Sequence, residues 1–209
     1  MLRRALLVLC LVAIPLVAHA QVQNLVLNPS FEEDEVILND PSWMEWATWG
    51  DANGVNSTVE IDESEFIDGT RSLRVDPQGD INWYFIVLNL PMDVSFGEDY
   101  TASFWAKAKE PRPLTAKMKA TDNTVSFGET DFELTTEWRE YHFTTKSQSN
   151  QIKLEIFCAG SEVPLWLDFV NLYEGEYVEG ILPSEVSPKQ SVEPAGKLAV
   201  RWAALRLPQ

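Results

Sequence analysis

Cysteine and histidine are scarce in this chain: two of each in 209 residues. Cys10 and His19 fall in the first twenty residues, so only Cys158 and His142 remain beyond them. One cysteine cannot close an internal disulfide, so the fold must be held by packing, with a metal ion as the remaining aid. Cysteine-pair zinc sites and multi-histidine metal sites are excluded by the same count. Basic residues are the second shortage, at 16 Lys and Arg against 32 Asp and Glu, a formal charge of −16. With no cationic surplus to neutralise phosphates, the composition argues against nucleic acid and anionic lipid as partners. A G-x-S-x-G turn is also missing, and with it the usual support for a nucleophilic hydrolase built around His142.

Long apolar runs are absent except at the start. Arg3 and Arg4 form a positive region, Ala5 to Val17 is apolar, and Ala18-His19-Ala20 supplies an A-x-A cleavage site. The run is shorter than the ~20 residues that a membrane span needs. The expectation is a signal peptide over residues 1–20, cleavage before Gln21, and a secreted chain that is not inserted in a membrane. Losing Arg3 and Arg4 leaves 14 basic against 32 acidic residues, or −18.

What is abundant is turn residues and aromatics: 12 Pro, 10 Gly, 8 Trp and 10 Phe. From Asn24 to about Tyr173, short apolar-alternating runs are separated by turn signals, without a long helical period. Nine strands are expected, at 58–61, 72–75, 83–90, 100–108, 114–120, 132–134, 139–145, 152–157 and 165–173. Strands without interleaved helices predict an all-β, antiparallel two-sheet sandwich or jelly roll over residues 21–175. Residues 176–209 are expected to be a linker and a short C-terminal tail. In that tail Leu198, Trp202 and Leu205 share one face of a possible short helix, suited to a sorting or docking partner.

Alternation assigns faces. Tyr100, Ala102, Phe104 and Ala106 share a core face, and Ile152, Leu154 and Ile156 share another. Opposite them stand Trp105 and Lys107 on one strand and Lys153, Glu155 and Phe157 on the other. The 83–90 run is apolar on both sides, with Trp83, Phe85 and Val87 opposing Tyr84, Ile86 and Leu88. A pyranose packs its C–H groups on an aromatic ring and needs polar partners for its hydroxyls. Trp83, Phe85, Trp105 and Phe157 are therefore candidate ligand-binding rings, with Lys107, His142 and Glu155 as polar neighbours. Packing of these rings under loops is the alternative.

Five segments occur in a telling order: NLVLNPSFE at 24–32, Trp46-x-x-Trp49-Gly50-Asp51, Asp68-Gly69-x-x-Ser72-Leu73, the run from Tyr100 to Ala108, and Leu167-Asp168-x-Val170-x-Leu172-Tyr173. Together they resemble the non-catalytic carbohydrate-binding modules of the family 4 and 9 type, with a galactose-binding-like jelly roll. The resemblance spans residues 24–173. It implies binding of a polysaccharide or oligosaccharide without cleavage, and core positions for Trp46 and Trp49. It also implies a structural calcium ion joining the first and last strands, with Ser30, Glu32, Asp68 and Asp168 at the matching positions. Phe169 stands where such modules often carry a second Asp, removing one ligand.

Two other readings compete. A structural or adhesive surface protein could use the same fold to hold protein partners. The Glu60-x-Asp62-x-x-Glu65 spacing also matches the carboxylates of jelly-roll β-glucanases, although Glu63 and Ser64 replace the apolar residues of that motif.

Overall fold

The computed structural model describes residues 22–33, 37–38, 46–50, 56–179, 181 and 186–188. The leader expected at 1–20 and the tail stripe at 198–205 lie outside the described residues.

The described strands are β1 (Val22–Asn24), β2 (Ile37–Leu38), β3 (Trp46–Gly50), β4 (Thr58–Asp62), β5 (Ser72–Asp76), β6 (Phe85–Asn89) and β7 (Met92–Asp93). They continue with β8 (Asp99–Ala108), β9 (Arg112–Ala120), β10 (Ser126–Leu134), β11 (Arg139–Lys146), β12 (Gln151–Phe157), β13 (Leu165–Glu174) and β14 (Val186–Pro188). Two layers form. One sheet runs β10-β9-β12-β6-β3-β2, with β7 also on β12; the other runs β11-β8-β13-β5-β4. Apart from the parallel β2–β3 pair, both are antiparallel. This is the expected sandwich, and each of the nine expected strands is present.

The core lies between the sheets. Strand β8 presents Tyr100, Ala102, Phe104 and Ala106 to it, and β9 presents Leu114, Ala116, Met118 and Ala120. Large and small residues alternate on both strands, so the layers interdigitate rather than meet ring to ring. Ile152, Leu154 and Ile156 of β12 complete that wall. The amino-terminal segment is tied to β13 by Asn24, which is fully buried. Its amide donates to the Val170 carbonyl and to Asn171 Oδ1, while its Oδ1 accepts from the Val26 and Leu172 amides.

Two expectations are corrected here. The strand expected from Trp83 begins only at Phe85, because Asn82–Tyr84 forms a 3-10 turn closed by the Tyr84 N–H on the Ile81 carbonyl. Alternation therefore does not carry back through the turn, and Trp83 does not share a face with Phe85. The segment after residue 175 is not a free linker throughout. Ile181 is buried against Phe169 and Tyr173, and β14 pairs in parallel with β1.

Candidate functional site

A sheet in a sandwich has an inner and an outer face, and strand register maps the outer face of the β10-to-β3 sheet residue by residue. Trp49 pairs with Ile86, Ile86 with Phe157, Phe157 with Thr115, and Thr115 with Asp131. The next row runs Ala47, Leu88, Glu155 and Lys117, and a third sets Lys153 directly opposite Lys119. These rows floor a groove of about 830 Å³, closed at its sides by Trp83 and Asn82 and by Asn123 and Glu129.

The groove is divided by chemistry. Its β3–β6 half is apolar: Ala47, Ile86, Leu88 and Phe157 form a small cluster of their own, separate from the core. Trp49 and Trp83 stand beside it with their ring centroids 6.3 Å apart and planes at 30°. Both remain more than two-fifths exposed, at 44% and 42%, which is unusual for two adjacent tryptophans. Tyr84 meets Trp83 edge-on at 4.8 Å and fixes the base of the ring.

The β12–β9 half is charged. Glu155 is buried, and its Oε1 lies 3.1 Å from Lys153 Nζ and 3.9 Å from Lys119 Nζ. Lys117 Nζ sits 4.4 Å from the centre of the Phe157 ring and 3.4 Å from Glu129. Burying a carboxylate costs free energy unless it is paired, and the two ammonium groups supply the pairing. Along one margin the Asn82 amide donates to Thr115 Oγ1, whose hydroxyl donates to Asp131.

The expected ligand-binding residues do not share one place. Trp83, Glu155 and Phe157 meet in the groove. Phe85 faces inward and is buried in the core, because it lies two residues from Val87 on β6 and shares its inner face. Trp105, Lys107 and His142 lie on the outer face of the other sheet, on the opposite side of the sandwich. There Trp105 packs against the Phe169–Tyr173–Ile181 cluster. Lys107 pairs with Glu65 at 2.9 Å and lies over the Trp166 and Trp138 rings. His142 stacks on Tyr177 at 3.5 Å, and the Tyr177 hydroxyl donates to Glu140. Trp46 is core, as expected, with its indole N–H on the Asn28 carbonyl. Trp49, expected in the core from the family resemblance, is instead exposed: three positions from Trp46 along a strand, it points the other way.

The rival carboxylates are each committed elsewhere. Glu60 pairs with Arg74. Asp62 accepts from the Ser64 hydroxyl and the Trp166 indole, and from the Ser64 and Glu65 amides. Burial alone would raise its pKa, but these hydrogen bonds outweigh it and bring the carboxyl down to about 2.

Ser30, Glu32, Asp68 and Asp168 are gathered around the turn at 67–71. Glu32 Oε1 accepts from the Thr70 and Arg71 amides, and its Oε2 from the Thr70 hydroxyl. A Cβ on Gly69, whose φ is +66°, would lie only 2.4 Å from Glu32 Oε1, so glycine allows both the turn and the approach. Asp168 Oδ2 accepts from the Ile67 and Asp68 amides, and its Oδ1 from the Phe169 amide. Burial, with the like charge of Asp68 added, still lifts Asp168 to about 6 against those amides. Among the described residues, no three acidic, histidine or cysteine side chains form a metal-ligating group. Ser30 Oγ, 2.5 Å from Asp68 Oδ2, and the two aspartates are nonetheless oxygen donors of the hard type that calcium takes. Glu32, by contrast, spends its carboxylate on Thr70 and Arg71.

A family model described as a carbohydrate binding domain, of the 4 and 9 type, matches residues 23–161. No curated protein matches the sequence. Among solved structures, one described as a family 4 carbohydrate-binding module is 20% identical, covering 72% of this chain and 99% of its own, with a TM-score of 0.56. A putative sugar binding protein from Bacteroides thetaiotaomicron is 15% identical over 73% and 100% of the two chains, with a TM-score of 0.59. The CBM22-1 xylan-binding domain from Paenibacillus barcinonensis Xyn10C is 14% identical over 77% and 100%, with a TM-score of 0.53. At these identities the likeness is one of fold.

Proposed function

The chain belongs to the carbohydrate binding domain family of the 4 and 9 type, and from that premise we propose that its groove binds an oligosaccharide or polysaccharide chain without cleaving it. The observation that carries this reading is the exposed Trp49–Trp83 pair at the apolar half of the groove. Stacking on rings supplies the affinity, and Asn82, Asn123 and the lysine–glutamate row supply hydrogen bonds to hydroxyls. Binding without cleavage is supported by the commitments of Glu60, Asp62 and Glu65, each held by a partner on the other side of the sandwich. Native electrophoresis through gels containing soluble polysaccharides tests it. Retardation of the wild type, lost in Trp49→Ala and Trp83→Ala, is expected. Release of reducing ends from a retained glycan would overturn the non-catalytic part.

The calcium ion expected from the resemblance is kept as a proposal at the Ser30–Asp68–Asp168 end of the turn. A cation there would relieve the like-charge contact that helps raise Asp168. Export remains a proposal on the leader alone; it would present the groove to glycans outside the cell membrane.

A further inference from the structure

Resting on that reading, we infer that the glycan taken by the groove carries acidic sugars, and that a uronate carboxylate seats between Lys119 and Lys153. The two lysines are direct cross-strand partners in the β12–β9 ladder. Like charges placed opposite each other repel, and proteins ordinarily avoid the pairing. Here both share a single carboxylate oxygen, Glu155 Oε1, at 3.9 and 3.1 Å. Two cations on one buried anion leave a local surplus of one positive charge. Lys117, one row away on β9, adds a third ammonium, matched by Glu129.

This surplus stands out in a chain whose formal net charge is −16. An acidic polymer is repelled by such a surface everywhere except where cations are concentrated. A groove meant for neutral glucose- or xylose-type chains needs hydrogen-bond donors and acceptors but no unneutralised charge. A carboxylate between Lys119 and Lys153 would complete an alternating anion–cation square with Glu155 and relieve the repulsion. The neighbouring sugar rings would then extend toward Phe157 and Trp49 along the apolar half. The two halves thus divide the work: rings hold the chain, lysines select its charge.

Matched pairs of glycans test this on the full chain. Several polyuronates are each compared with their carboxyl-reduced counterparts, which keep the linkage and lose the charge. The expected result is retention of at least one polyuronate roughly tenfold more tightly than its reduced form, the scale of one charge-assisted hydrogen bond. That preference should shrink as NaCl rises from about 0.1 to about 1 M and the screening length falls from ~10 to ~3 Å. The triple variant Lys119→Gln, Lys153→Gln, Glu155→Gln removes the charges together and leaves no buried carboxylate unpaired. It should lose the preference, and Lys153→Arg should keep it. Equal or tighter retention of the reduced glycans, or of neutral glycans only, overturns this inference and leaves carbohydrate binding standing. Retention of sulfated glycans alone overturns the uronate assignment. Failure to retain any glycan of the panel overturns both.

Discussion

Replacing Trp83 by alanine removes one wall of the groove without touching the core. The ring has a surface of roughly 200 Å², and 42% of it is open, so about 80 Å² is available to a sugar. Covering that area at ~25 cal/mol/Å² is worth about 2 kcal/mol, or roughly thirtyfold in affinity. The stability cost should be far smaller than the ~3–5 kcal/mol of emptying a core tryptophan site such as Trp46. Trp83 is held by Tyr84 and the Asn82–Tyr84 turn, and the turn is fastened through backbone groups: the Ala159 amide donates to Asn82 and the Gly160 amide to Gly79. Calorimetric titration with a retained glycan and a urea melt of the same sample measure both quantities together. Binding weakened by ten- to a hundredfold with the melt nearly unmoved is the expected outcome. Unchanged affinity, or collapse of the fold, would refute the reasoning, since either places the ring outside the groove's function.

Asn24→Ala should destabilise the sandwich by about 2–4 kcal/mol in a urea melt, because it strands the buried Val26 and Leu172 amides as well as two acceptors. The Asp62 carboxyl titrates below its unfolded value, so its contribution is present above about pH 4 and is lost as pH falls toward 2. Asp62→Asn should accordingly flatten that acid limb of the stability profile and leave stability unaltered in its slope near pH 7. For the proposed calcium ion, thermal melts in millimolar calcium and in EDTA should differ, by ~2.7 kcal/mol at a hundredfold excess over Kd; superimposed curves reject the ion.

Much of this architecture was legible in the chain because alternation survives burial. Tyr100 to Ala108 and Ile152 to Phe157 read correctly, face by face, since each is a regular strand with an inner and an outer side. Five strands escaped: β1, β2, β7 and β14 have two or three residues each, too few for a period to show, and the five-residue β3 carries the two tryptophans that were read only through the family resemblance. The site was only half legible for a different reason. Alternation on one strand tells which residues leave the core, not through which sheet they leave it. Trp105, Lys107 and His142 leave through β8 and β11, while Glu155 and Phe157 leave through β12, and the sandwich sets the two groups back to back. Pairing between distant strands decides this, and a single sequence does not display it. Trp49 could have been placed. Its odd spacing from the buried Trp46 already put it on the other face, and only the family resemblance argued for the core.

The groove's claim over the opposite face is tested most directly by following the tryptophan indole N–H resonances while a retained glycan is titrated in. The account expects the Trp49 and Trp83 signals to move in a saturable way and those of Trp105, Trp138 and Trp166 to stay in place. Saturable movement of Trp105, Trp138 or Trp166, with Trp49 and Trp83 unmoved, would contradict it.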